Sequence, residues 1–257
     1  MVSTFAIAGI VTQLLISLLF PICLLIYLRK KQLFSWKPLG IGVLIFILFS
    51  QVLENALHFV MIDSEAIKLK WTDSIVLFVL YGALAAGIFE EFGRYFGFKW
   101  MLKRHRDYKD GLSFGLGHGG IEAVLVGVLG AVNALVLVTM LNANTFDQMI
   151  GSALPAEQAQ QIKNQLLNTG FMEYVIAGVE RVAAILIHVA LSLLVLLGVR
   201  SNRFKYVIYA AAIHALIDIV PGLYQTEVIA NIWIAEAFVL LYGIIAFLFI
   251  NRIKDKF

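Results

Sequence analysis

Residues 74–98 read SIVLFVLYGALAAGIFEEFGRYFGF, an apolar run that carries Glu90, Glu91 and Arg94 close to its end. About 20 apolar residues in a helix cross roughly 30 Å of hydrocarbon, so the run predicts a membrane helix. A charged side chain at bilayer depth costs about 2.5 to 3.5 kcal/mol on insertion scales. Two adjacent carboxylates in such a run therefore face a protein interior and mark a working site.

The same apolar texture repeats along the chain, which is 61% hydrophobic and only 14% charged. That composition predicts an all-α, polytopic membrane bundle of about seven transmembrane helices. The expected spans are 5–28, 39–60, 74–98, 112–141, 171–199, 204–222 and 229–250, within a single integral membrane domain over 1–257. The first run has no basic segment before it and no small-residue cleavage site after it, so it is expected to be a retained helix and not a signal peptide. Pro221 and Gly222 are expected to close the sixth span.

Basic residues mark the sidedness. Arg29, Lys30, Lys31 and Lys37 follow span one, Lys99, Lys103, Arg104, Arg106 and Lys109 follow span three, Arg200, Arg203 and Lys205 follow span five, and Arg252, Lys254 and Lys256 end the chain. The opposite loops hold only Lys68, Lys70 and Lys163. The positive-inside rule then places the N-terminus outside and the C-terminus in the cytoplasm, as an odd number of spans requires. The net charge of +3 sits in these short loops, so it reports orientation and contact with anionic lipid and excludes a nucleic-acid-binding reading. A lone cysteine, Cys23, excludes an internal disulfide or a Cys-rich metal site. The outer connection 142–170 is expected to hold a short amphipathic helix starting at Pro155.

Polar residues inside the spans form several sets. Glu90 and Arg94 are four apart and Glu91 and Arg94 three apart, so the arginine can pair with either carboxylate. Span four opens with Gly115, Leu116, Gly117, His118, Gly119, Gly120, Ile121 and Glu122, in which His118 and Glu122 share a face. The glycines weaken the helix but allow close backbone approach by neighbours. His214 and Asp218 are again four apart, and a carboxylate one turn from an imidazole can fix its tautomer or orient it toward a metal. Span five adds Glu180, Arg181 and His188. Glu54 and His58, near the outer end of span two, read as an interfacial pair.

Depth joins these sets. At 1.5 Å per residue, Glu91 lies about 10 Å, His118 about 9 Å, His214 about 15 Å and His188 about 17 Å from the inner ends of their spans. Glu91, His118, His188 and His214 are suitable Zn²⁺ ligands by type, and a catalytic zinc needs three protein ligands with water in the open position. A second carboxylate would serve as general base in metal-assisted hydrolysis. There is no contiguous HExxH, so any such site must be assembled across helices. Glu90 or Glu91, His118 and His214 are expected to surround one cavity.

The EExxR at Glu90, Glu91 and Arg94, the stretch from Phe114 through His118 to Glu122, the set of Glu180, Arg181 and His188, and HxxxD at His214 and Asp218 resemble the YhfC family of intramembrane metalloproteases. Phe114 with His118 is also similar to the FxxxH pattern of the wider CAAX-protease and bacteriocin-processing superfamily, and PrsW-type proteases are further relatives. The resemblance implies that Glu90 or Glu91 activates water, that His118 and His214 hold it directly or through a metal, that Arg94 orients the glutamates, and that Asp218 and Glu122 are supporting polar groups. The wider superfamily has EExxxR, whereas here the arginine comes one residue earlier, a shift of about 100° around the helix.

The function expected from these readings is hydrolysis of a peptide bond in a membrane-embedded or membrane-tethered substrate, in a bacterial-type inner membrane. A proton-coupled transporter and a non-catalytic scaffold or immunity protein are the alternatives, because intramembrane Glu, His and Arg also build proton relays and helix contacts.

Overall fold

The computed structural model describes residues 1–63, 66–151 and 154–257. The fold is all-α: 82% helical, with no strand among the described residues. Seven helices are long and apolar enough to cross a membrane. They are α1 (Thr4–Lys30), α2 (Trp36–Met61), α3 (Ile75–Met101), α4 (Tyr108–Asn142), α5 (Phe171–Arg200), α6 (Lys205–Gln225) and α7 (Ile232–Lys256). Each corresponds to one of the seven apolar runs. Wider π-helical turns interrupt α2 at Ile47–Glu54, end α3 at Gly97–Met101 and interrupt α4 at Ala123–Val128.

Two helix ends differ from expectation. α4 begins four residues before 112, where Asp110 reaches back to accept the Asp107 backbone N–H at 3.0 Å and so caps a helix that starts among charged residues. Pro221 and Gly222 do not close α6, which continues to Gln225. A proline so near the end removes only one helical hydrogen bond, and the Gly222 carbonyl accepts from the Thr226 N–H at 3.1 Å. Between 142 and 170, a helix spans Ala156–Asn168 directly after Pro155, while residues 152 and 153 lie outside the described residues.

The chain divides into two compact units, residues 1–20 with 122–182 and residues 21–121 with 183–257. The first has an apolar core of Ile10, Ala131, Val138 and Phe146, against which Ala159 and Leu166 of the helix after Pro155 also pack. The second holds the conspicuous polar residues of α3 and α6, with His118 and His188.

Within the second unit, glycines set the helix spacing. A Cβ at Gly117 would lie 2.1 Å from the Leu39 carbonyl oxygen, and one at Gly42 would lie 2.2 Å from that of Phe114, so α2 and α4 meet backbone to backbone. A Cβ at Gly115 would lie 2.5 Å from Val189 Cα on α5, and one at Gly87 would lie 2.6 Å from the Ala211 carbonyl oxygen on α6. Small residues at such seams permit the close packing that drives helix association in lipid. Gly117→Ala is expected to destabilise the protein by about 1–3 kcal/mol, the cost of overpacking a rigid contact. Gly40→Ala, at a position with no atom within 4 Å, should leave thermal unfolding in detergent unchanged. Equal melting temperatures for the two variants would contradict this packing account.

Candidate metal centre

Helical spacing puts Glu90, Glu91 and Arg94 on successive turns of α3, and Arg94 ties the two carboxylates together. Its Nη2 donates to Glu90 Oε2 at 3.1 Å and its Nη1 to Glu91 Oε1. Arg94 and Glu91 are wholly buried, at 0% exposure. A guanidinium is suited to this task because its planar fork serves more than one acceptor and it stays charged when buried.

Three histidines reach this trio from three other helices. His118 on α4 sits with Nε2 2.9 Å from Glu90 Oε2. His188 on α5 accepts from Arg94 Nη2 through Nδ1 at 2.6 Å, and the same Nδ1 is 3.7 Å from Glu90 Oε2. His214 on α6 places Nδ1 2.8 Å from Glu91 Oε1, and its Nε2 lies 3.9 Å from Glu90 Oε2 and 3.5 Å from Asp218 Oδ2. The local sequence makes these approaches possible. Gly115 and Gly119 on α4 admit the backbone of α5 around His188, and Gly87 admits α6 one turn before Glu91.

A carboxylate only accepts, so the ring nitrogens that face Glu90 and Glu91, His118 Nε2 and His214 Nδ1, meet them as donors. Three carboxylates, Glu90, Glu91 and the marginal Asp218, stand against the single guanidinium of Arg94. That imbalance favours a further cation.

Glu90, His118 and His188 offer ligand atoms that lie within 4.8 Å of one another, all three residues buried. One carboxylate and two imidazoles are a donor set used at catalytic zinc, so the residues present fit a metal. The guanidinium of Arg94, which donates to Glu90 and to His188, and a metal are alternative partners for these two residues.

Of the expected ligands Glu91, His118, His188 and His214, the clustered group contains His118 and His188, with Glu90 as its carboxylate and without His214. Glu90 joins the histidines, whereas Glu91 turns toward Arg94 and His214, and His214 is engaged with Glu91 and Asp218. Adjacent residues on a helix point about 100° apart, so the two glutamates share Arg94 but meet different histidines most closely, Glu90 His118 and Glu91 His214. Asp218 stands at the margin, with a side chain 35% exposed. Glu122, expected beside His118, belongs to the other unit, where Arg181 donates to it at 3.2 Å and also to Glu180. Glu180 and Arg181 fall in the first unit and His188 in the second.

A second polar group in that unit includes a residue that sequence reasoning missed. The expected Glu54–His58 pair forms at 3.3 Å, and the Tyr81 hydroxyl of α3 joins it, 2.8 Å from His58 Nδ1. The available signal was the recurrence of polar residues at Gln51, Glu54, Asn55 and His58, which is the i, i+3, i+4, i+7 spacing of one helix face.

A buried carboxylate–histidine centre assembled across four apolar helices defines an integral membrane protein with an intramembrane site for a metal. The family model for the YhfC intramembrane metalloprotease matches residues 16–239, and the chain belongs to that family. A curated relative from Bacillus subtilis strain 168, described as an uncharacterized membrane protein YhfC, is 34% identical over 257 residues, covering both chains completely. No solved structure matches the chain.

Proposed function

We propose that this protein is a zinc-dependent intramembrane peptidase of CAAX-protease-like type, hydrolysing a peptide bond in a membrane-embedded or membrane-tethered polypeptide. The observation that carries the reading is the convergence of Glu90, His118 and His188 on one buried point. These three residues would hold the metal, which when bound supplies a Lewis acid and lowers the pKa of water. His214 is the proton acceptor. Glu91 and Asp218 orient its ring, which takes a proton from water and later returns it to the leaving amine. Arg94 holds Glu91 in place, and Asp218 supports His214 at the exposed side. The basic loops support an outside N-terminus, a cytoplasmic C-terminus and residence in a bacterial-type inner membrane.

The test uses zinc-loaded protein in liposomes with a panel of quenched-fluorescent transmembrane peptides. At least one peptide should be cleaved, and His214→Ala should lower kcat by about 10²–10⁴-fold, the usual contribution of a positioned acid–base group, while zinc content stays unchanged. Loss of zinc in His214→Ala would return that residue to the ligand set. Absence of cleavage across the panel by zinc-loaded wild type would count against the peptidase reading.

A further inference from the structure

The polar face of α2 has one member turned toward α3 and two turned outward. Glu54 is buried and joined through His58 to Tyr81, but Gln51 and Asn55, one turn apart, are exposed on the surface of a membrane-spanning helix. Their amide nitrogens are used locally: Asn55 Nδ2 donates to the Gln51 carbonyl at 3.0 Å, and Gln51 Nε2 reaches Ser50 Oγ at 3.5 Å. Among the described residues, neither amide oxygen accepts a hydrogen bond. Primary amides facing hydrocarbon are costly and associate with whatever can hydrogen-bond to them.

Their depth is set by the antiparallel packing of α2 on α3. A Cβ at Gly93 would lie 2.7 Å from Phe49, and Tyr81 meets His58, so residue numbers along the seam sum to about 140. Gln51 is therefore level with Glu90 and Glu91. The same helix reaches the metal centre: the Phe46 ring stands edge-on to His118 with centroids 5.0 Å apart, and Gln51 follows five residues on, about 7 Å along the axis, at the exposed surface. The intervening turns are π-helical, a form found most often at functional sites.

We propose that Gln51 and Asn55 form the docking strip for the scissile stretch of a substrate's transmembrane segment, and that they bind it where its helix is unwound. Peptide-bond hydrolysis requires an extended backbone, and in lipid each freed N–H and C=O must find a partner. Amide side chains, which both donate and accept, are complementary to that backbone without regard to side-chain sequence. A second copy of this chain would bury the same amides, but it would gain nothing from their alignment with Glu90. The inference rests on the peptidase reading and names the substrate surface for it.

The experiment uses the full-length chain in nanodiscs and two fluorescent Leu/Ala transmembrane peptides of about 25 residues, one uninterrupted and one with a Gly-Pro pair at its centre. Binding is read by anisotropy and cleavage by mass spectrometry of the same samples. Wild type should bind the interrupted peptide at least tenfold tighter than the uninterrupted one, and Gln51→Leu with Asn55→Leu should remove that preference. Val52→Ala, an exposed apolar neighbour, should retain it. Because both amides are exposed, leucine there should not lower the melting temperature, and a chain carrying only Gln51→Leu gives a milder check. Equal binding of both peptides by wild type, or a preference that survives the double substitution, would overturn the proposal. So would a double variant that changes only from dimer to monomer. Binding with the expected preference but no cleavage would leave the docking strip standing and count against the peptidase reading.

Discussion

Alanine at both His118 and His188 is expected to take bound zinc from about one per chain to none, measured by elemental analysis of protein purified in detergent and dialysed against a zinc buffer. Two of the three ligand atoms that lie within 4.8 Å of one another come from these residues, and Glu90 alone cannot hold a divalent ion against water. The change should be larger than that of any single substitution outside the trio. Glu91→Gln should retain metal, because Glu91 Oε1 serves Arg94 and His214. Zinc that stays in the double alanine variant, or that leaves with Glu91→Gln, would exclude this ligand assignment.

Arg94→Leu is expected to be the most destabilising substitution in the chain. The residue is completely buried and reaches Glu90, Glu91 and His188, so its removal leaves two carboxylates without their counter-charge. Breaking a buried ion pair by deleting one partner costs about 3–5 kcal/mol. The size of the loss should depend on metal. A cation held by Glu90 and His188 replaces part of the lost charge and binds the folded state alone, so saturating zinc should raise the melting temperature more in Arg94→Leu than in wild type. Identical zinc-induced shifts would show that the guanidinium and the metal do not share those atoms.

Much of the fold was legible because lipid imposes a length on every apolar run, and seven runs of sufficient length can only be helices. Helix ends were less legible. The start of α4 lies among Asp107, Lys109 and Asp110, which read as a loop until the cap between the two aspartates is seen. Pro221 reads as a stop, yet a proline in a last turn breaks too little to end the helix. The site was legible as a set, since Glu90, Glu91, Arg94, His118, His188 and His214 are too costly in lipid to be incidental. Their division of labour was not. Choosing between Glu90 and Glu91 depends on which neighbour each meets across a helix seam, and spacing along one helix carries no information about that. Spacing also misplaces Glu122. It shares a face with His118, but four residues are about 6 Å along the axis, and there it meets Arg181. Gln51, Asn55 and Tyr81 escaped because none carries a full charge, although the stripe on α2 was present in the sequence.

The glycine seams bear on how the centre could open. Gly42 and Gly117 lock α2 to α4, and Gly87 locks α3 to α6, each through a carbonyl oxygen that leaves no room for a methyl group. His118 travels with the first pair, while Glu90 and His214 travel with the second. The bond between Glu90 and His118, 2.9 Å long, ties the two pairs together in the interior, beside the α2–α3 seam where a Cβ at Gly93 would lie 2.7 Å from Phe49. A metal held by Glu90 and His118 would add a rivet to that tie, so that filling the centre also stiffens the joint between the helices that carry it.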